Sequence, residues 1–137
     1  MTQILTATDV ALGLVGAGFT GWQVVTMGAI CVPESGRDVH AFHFNDHNPT
    51  KASYLSFGWG LFGINDYHTT KLLVTKGVIT LNRPLSQQLF NPTTNFRAAR
   101  EVLLEGGYQR WNTWLDGLHI PYLHECRIAA RMIGVPV

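Results

Sequence analysis

The chain has 137 residues, enough for about one domain, and 14% of them are charged against 46% hydrophobic and 11% aromatic. This composition supplies a hydrophobic core of ordinary size and excludes an intrinsically disordered chain. Ten basic and nine acidic residues give a net charge of +1, which excludes nucleic-acid or membrane binding driven by charge.

The first predicted element is a short helix that begins at Thr8 and Asp9. Its apolar residues recur at helical spacing, and Gly16 and Gly18 mark its end. No basic residue precedes Arg37, and the apolar run here is far shorter than the ~20 residues of a membrane-spanning helix. We therefore expect neither a signal peptide nor a membrane span.

A second helix is expected to start at Thr20 as its N-cap and to end near Pro33 and Gly36. Glu34 then lies on its last turn, behind an apolar stretch. Partial burial and the negative pole of the helix dipole both disfavour the charged carboxylate and raise its pKa. Cleavage of a glycosidic bond requires an acid that keeps its proton near neutral pH, so Glu34 is a candidate general acid.

The middle of the chain, residues 36–67, changes composition to His, Asn, Asp, Gly and aromatic residues, with a turn signal at Asn48 and Pro49. It is predicted to be irregular or to form a small β-like segment. Strand-like residues follow at Leu72–Val74 and Val78–Leu81, and a short helix is equally compatible with the first of these two pieces.

The remaining chain is predicted to be helical, because proline and glycine delimit several apolar stretches. These helices are expected from Pro84 to Leu89, from Pro92 to Gly106, around Trp111 and Trp114 up to Gly117, and from near Pro121 to about Ile133. The sequence thus predicts one mainly α domain over residues 1–137, with about five to seven short helices.

Two cysteines, Cys31 and Cys126, lie far apart in apolar helical stretches. Two buried free thiols are favoured over a disulfide that joins their helices, because unpaired cysteines behave as small hydrophobic residues.

Four segments, taken together, carry a family resemblance. In chain order they are Glu34-Ser35, Gly58 to Asp66, Leu89 to Ala99, and Gly106 to Trp114. Their order and spacing resemble the lysozyme-like lytic transglycosylases of the goose-type lysozyme superfamily, in the compact form common in bacteriophage lysins and tail-associated proteins. The resemblance extends from about Asp9 to Ile133 and implies a lysozyme-like domain.

The resemblance implies roles for individual residues. Glu34, followed by Ser35, matches the catalytic acid/base of the family, and the segment that lines its sugar groove is matched by Gly60, Leu61, Phe62, Ile64 and Asn65. The family's later Asp-Pro-x-x-Asn stretch is matched by Phe90, Pro92, Asn95 and Ala98, with Asn91 in place of the Asp. The candidate glycan contacts are Ser35, Trp59, Gly60, Leu61, Phe62, Asn65, Asp66, Asn95 and Trp114.

Other uses of these side chains stay open. Phe62, Tyr67 and Trp111 are further candidates for stacking on sugar rings, while core packing is favoured for at least one of Trp111 and Trp114. The amides of Asn65 and Asn95 suit either N-acetyl groups or the bracing of the groove, which is the commoner use.

Besides Asn91, three places in the sequence depart from the family pattern. Gly63 replaces a glutamine, Gly58-Trp59 stands where an Asp-Arg or Ser-Tyr pair is usual, and Pro33 removes a helix hydrogen bond just before Glu34. These changes are compatible with altered substrate contacts, with a slower enzyme or with a domain kept for structure.

By the resemblance, the substrate is peptidoglycan, cut at the β-1,4 bond between N-acetylmuramic acid and N-acetylglucosamine. The transglycosylase branch needs Glu34 alone and forms a 1,6-anhydro sugar, whereas the lysozyme branch needs a second carboxylate to position water. Candidates for that carboxylate are Asp38, Asp46 and Asp66, although each is also an ordinary loop or cap residue. The lack of a clear second carboxylate favours the transglycosylase branch.

A zinc site is the alternative for His40, His43 and His47 with Asp46, since imidazoles and carboxylates are the usual ligands of zinc. The resembling family needs no cofactor, so neither a metal nor a cofactor is expected.

The expected setting is a bacteriophage virion, in which the domain acts on the bacterial cell wall together with other tail proteins. It would reside in the host cytoplasm before assembly. A soluble endolysin, a catalytically weak structural protein of the virion, and a chitinase-like or sugar-binding module are the alternatives.

Overall fold

A computed structural model describes residues 2–46, 55–67 and 69–137. This part of the chain is mainly helical with a small antiparallel sheet in its middle, which confirms the predicted fold class. Its α-helices are α1 (Ala7–Gly16), α2 (Trp22–Ser35), α3 (Thr70–Thr75), α4 (Leu85–Leu89), α5 (Pro92–Gly106), α6 (Asn112–Leu115) and α7 (Leu123–Met132), and its strands are β1 (Phe42–Asp46), β2 (Leu55–Trp59) and β3 (Ile64–Asn65).

The core is built around α2, which packs against α1 and α7. Its middle is apolar on nearly all sides, and Met27, Ala29 and Ile30 are fully buried. Such a helix is the rigid centre of a small domain, so its last residues are held firmly in place. Among the described residues, no helix is long and apolar enough to cross a bilayer.

The start of α1 lies slightly before the predicted position. Thr6, not Thr8, is the N-cap, and its side chain and that of Asp9 form a reciprocal capping box. At the other end, Phe19 N donates to Leu14 O and Gly18 N to Val15 O, the hydrogen-bond pattern of a Schellman motif. The predicted end at the glycines is therefore confirmed.

The predicted N-cap of α2 is wrong. The helix follows Gly21, which has φ 52°, rather than Thr20. None of the described side chains caps this end; Thr20 N, one residue before Gly21, donates to Gln23 Oε1 at 3.1 Å.

The sheet has the order β1-β2-β3, with both pairs antiparallel. His43 pairs with Gly58, and Phe42 pairs with Trp59. Because side chains alternate along a strand, the aromatic residues at 42, 44, 57 and 59 share one face, and they contact each other there. His43 points to the opposite face, toward the end of α2.

The two strand-like pieces have different outcomes. Leu72–Val74 lies inside α3, which decides between the two open readings, while Val78–Leu81 forms no strand. Val78 and Ile79 are nevertheless buried, and Val78 N closes α3 by donating to Leu73 O. These residues are thus apolar because they are buried in a turn, and in the sequence they resemble a short strand.

Both cysteines are free and buried, as predicted. Burial raises the pKa of the Cys31 thiol to about 12 and also raises that of Cys126. The two thiols therefore act as core residues.

Candidate active site

Glu34 is fixed in place by the turn that ends α2. Gly36 adopts the left-handed conformation and its N–H donates to Val32 O. The hydroxyl of Ser35 donates to Cys31 O at 3.0 Å and accepts from Arg37 N at 3.1 Å. Ser35, a predicted glycan contact, thus braces the turn behind the candidate acid.

The Glu34 carboxylate has the electrostatic character predicted for a general acid. It is partly buried, and this burial raises its pKa to about 7. No side chain in the described part of the chain pairs with it. A carboxyl group with this pKa exchanges its proton near neutral pH, as acid/base catalysis needs.

A histidine from the sheet holds the same turn. The Nε2 atom of His43 lies within hydrogen-bond distance of the backbone oxygen of Glu34. Since a carbonyl only accepts, the imidazole must donate, and Nε2 carries its proton. Helix ends leave their last carbonyls without intrahelical partners, and His43 satisfies one of them.

Glu34 opens on a cavity of about 480 Å³. Its walls come from α2, the turn before β3, the start of α3, and the end of α5 with the residues that follow. The lining residues are Glu34, Gly63, Ile64, Asn65, Thr69, Val102, Gln109, Arg110, Trp111 and Asn112. Segments far apart in sequence thus surround one acidic group.

Gly63 forms the part of the wall nearest to the acid. A Cβ atom at this position would lie 3.3 Å from Glu34 Oε1, and the residue has φ 56°. Both facts favour glycine here. A glutamine side chain, which the resembling family carries at this position, would lie directly beside the carboxylate.

The segment between β2 and β3 supports the cavity mostly from behind. Leu61 and Phe62 are fully buried, and Gly60 is buried with φ 71°. A Cβ atom at Gly60 would lie 2.3 Å from Asn95 Nδ2, so only glycine fits there. Of this predicted groove segment, Ile64 and Asn65 reach the cavity wall together with Gly63.

Asn95 ties this segment to α5. Its Nδ2 donates to Trp59 O at 2.9 Å and to Leu89 O at 2.8 Å, while its Oδ1 accepts from Phe62 N at 3.1 Å. With 1% of its surface exposed, it corresponds to the bracing role and not to a sugar contact.

The predicted second carboxylates have structural partners. Asp66 accepts from Phe57 N at 2.9 Å and from Trp59 Nε1 at 3.1 Å. Asp38 accepts hydrogen bonds from the backbone N–H groups of His40 and Gln3. The hydrogen bond from His40 has the largest effect, and both lower the pKa of Asp38. Of the third candidate, Asp46, only the backbone lies within the described structure.

The three tryptophan candidates lie in three different places. Trp59 lies among the sheet aromatics and Phe90, away from the cavity. Trp111 precedes α6, is 4% exposed and donates from Nε1 to Phe62 O at 2.9 Å, which confirms core packing. Trp114 stacks between Tyr108 and His119, also outside the cavity lining.

The histidines of the zinc alternative are separately engaged. The ring of His40 packs edge-on against Phe90, while His43 binds the Glu34 carbonyl. His47 lies outside the described residues. Within the part that is described, no group of three or more His, Cys, Asp or Glu residues could hold a metal ion.

Sequence reasoning missed the wall formed by Gln109, Arg110 and Asn112, together with Thr69. A signal for this wall was present in the glycine pair at the end of α5. Gly107 has φ 75° and ends the helix, whereas Gly106 has no such backbone need. A Cβ atom at Gly106 would lie 2.5 Å from Arg110 Cδ, so this glycine makes room for the arginine.

Comparison with known proteins assigns no family to the chain. No protein-family model, curated protein or solved structure matches the chain.

Proposed function

We propose that this chain is a muralytic glycosidase that cleaves the β-1,4 bond between N-acetylmuramic acid and N-acetylglucosamine in peptidoglycan. The observation that carries the proposal is Glu34, an acid with a pKa raised to about 7 at the mouth of a 480 Å³ cavity. The resemblance of the segments around Glu34 to lytic transglycosylases supplies the substrate class.

In the reaction, the protonated carboxyl of Glu34 gives its proton to the glycosidic oxygen as the bond from C1 to that oxygen breaks. The resulting carboxylate accepts the proton of the 6-hydroxyl of the same muramyl residue. The 6-oxygen then bonds to C1 and closes a 1,6-anhydro ring without consuming water. Glu34 ends the cycle protonated, so one residue serves as both acid and base.

The partners of the aspartates support this anhydro-forming branch over hydrolysis. Asp66 and Asp38 are occupied by backbone and indole N–H groups, and neither lines the cavity. Water-dependent inversion needs a second carboxylate near the acid. Asp46 is the remaining candidate for that role.

The proposed setting is a bacteriophage tail, where the domain opens the wall locally. A net charge of +1 gives little attraction to anionic wall polymers, which supports delivery by a larger assembly over a freely diffusing endolysin. A virion structural protein with weak activity is the second candidate. Pro33 lies inside α2 directly before Glu34 and removes a helix hydrogen bond near the acid. This position of proline favours the candidate with weak activity.

Zymography against peptidoglycan tests the proposal. The wild type is expected to clear the wall and Glu34→Gln to be inactive, while Glu101→Gln on α5 controls for the loss of a negative charge and should retain activity. Equal clearing by wild type and Glu34→Gln, or no clearing by either, would refute it. Mass spectrometry of the products then separates anhydro ends from reducing ends, and the copy number in washed virions separates a tail component from an endolysin.

A further inference from the structure

We propose that Arg110 binds a carboxylate carried by the glycan strand, so that the cavity selects acidic muramyl glycans over neutral N-acetylglucosamine polymers. This inference rests on the proposed function and names the feature of the substrate that the site recognises. It starts from the cavity wall of Gln109, Arg110 and Asn112, which presents one guanidinium and two amide side chains.

The packing of Arg110 shows that its side chain has a defined place. Its stem lies over Gly106 at the end of α5, where a Cβ atom would come within 2.5 Å of Cδ and 2.6 Å of Cγ. Gly106 lacks the positive φ that would itself require glycine. The absence of a side chain at position 106 is therefore explained by the arginine that lies there.

The guanidinium of Arg110 is available to a ligand. Its only ion pair in the described part of the chain is with Glu105, at 3.5 Å from Nη1 to Oε1, and the two side chains are 30% and 44% exposed. Exposed pairs of this kind contribute between zero and about 1 kcal/mol, so a ligand can displace Glu105 easily. A guanidinium also offers several N–H groups in the planar arrangement that matches a carboxylate.

Arg110 is not the partner of the catalytic acid. The pKa of Glu34 is raised by burial alone, with no contribution from a nearby positive charge. The cavity therefore has one region at Glu34 that exchanges a proton near neutral pH and one cationic region at Arg110. A glycan that carries carboxylates fits this pattern, whereas a neutral polymer offers the guanidinium no charged group to bind.

Carboxylates reach the cavity from two sources, the lactyl group of a muramyl residue without peptide, or the peptide attached to it. Binding is measured by NMR titration of the Glu34→Gln variant, which is expected to leave the probes uncleaved. The three probes are a neutral N-acetylglucosamine tetramer, a muramyl tetrasaccharide without peptide, and the same tetrasaccharide with its stem peptides. At least one acidic probe is expected to bind about tenfold more tightly than the neutral one, the effect of one hydrogen bond to a charged group.

Adding Arg110→Gln should remove that tenfold difference and leave the affinity for the neutral probe unchanged. Arg97→Gln, on the exposed side of α5, makes the same change in net charge and should have no effect. Gly106→Ala keeps the charge but displaces the arginine stem, so it should weaken acidic binding as well. The acidic probe whose affinity falls identifies the source of the carboxylate.

Equal affinity for all three probes, or an equal loss for all three on Arg110→Gln, would overturn the inference. Clearing of peptidoglycan by the wild type is measured separately. If clearing is absent while Arg110-dependent binding persists, the catalytic proposal fails and this inference stands. If clearing is present and Arg110→Gln changes neither binding nor clearing, only this inference fails.

Discussion

Gly63 faces the carboxylate of Glu34 so closely that a Cβ atom at position 63 would lie 3.3 Å from Oε1. The residue also has φ 56°, where other L residues are strained. We expect Gly63→Ala to lower the free energy of unfolding by about 1 kcal/mol, as urea denaturation would measure. The added methyl group should exclude water from Glu34, raise its pKa further and reduce cleavage.

Gly77→Ala is the matched control, because Gly77 has φ 71° but open space around its missing side chain. It shares the backbone strain of Gly63→Ala without the contact. We expect both variants to lose similar stability and only Gly63→Ala to change the Glu34 titration in ¹³C NMR spectra. An unchanged Glu34 titration in Gly63→Ala would contradict the contact.

Glu34 should make stability depend on pH. Its pKa is about 7 in the folded protein against 4.5 for an ordinary glutamate, so the folded state binds more protons between these values. Stability is then fully present below about pH 4.5 and is lost as the pH rises through about 7. Relative to Glu34→Gln, the wild type should lose up to about 3 kcal/mol of unfolding free energy over this range.

The measurement is urea denaturation of both proteins at several pH values from 4 to 8. Glu101→Gln serves as control, since it removes a carboxylate on α5 that does not line the cavity. A constant difference between the wild type and Glu34→Gln across this range would show that burial does not raise the Glu34 pKa.

The fold was predictable where one short segment determines its own structure. Gly36, which adopts φ 63° and ends α2, put Glu34 on the last turn of an apolar helix, and Pro92 marked the start of α5. The start of α2 was not predictable from Thr20, because Gly21 takes the N-cap position and the Thr20 N–H donates to the side chain of Gln23. The residue at which a helix begins depends on competing local hydrogen bonds, and their relative strengths cannot be derived from the residue types alone.

The candidate site was predictable only in part, for a similar reason. Glu34 and Asn65 belong to recognisable segments and both line the cavity. Leu61 and Phe62 belong to the same pattern but are buried. The sequence could not show this, because the direction of each side chain in a turn depends on the conformation of that turn. Arg110 lines the same cavity as Glu34 because the end of α5 packs beside it, a long-range arrangement with no local sequence signal beyond Gly106.

His43 is expected to act as a positioning residue for the end of α2. Replacing it by Phe removes the donor to the Glu34 carbonyl, and we expect a loss of about 1 kcal/mol in unfolding free energy. The freed turn should also aim Glu34 less well and lower cleavage without changing the affinity for substrate. His43→Gln keeps an N–H donor and should recover part of both losses.

The tautomer of His43 gives an independent check. ¹⁵N NMR of the imidazole is expected to show the proton on Nε2, which is the atom that must donate to the carbonyl. A proton on Nδ1 alone, or equal effects of His43→Phe and His43→Gln, would exclude this hydrogen bond.

Asn95 should contribute to stability rather than to binding, because its three hydrogen bonds join β2, α4 and the Phe62 backbone in the core. Asn95→Ala leaves these buried backbone groups without partners, and we expect a loss of about 3 kcal/mol in unfolding free energy. Asn91→Ala is the control at the start of the same helix, since the side chain of this exposed N-cap accepts from Thr94 N and its loss should cost about 1 kcal/mol. Urea denaturation measures both variants. Equal losses of stability in the two variants would mean that Asn95 does not hold the segment behind the cavity. If Asn95→Ala is fully stable but binds glycan more weakly, Asn95 is a sugar contact instead.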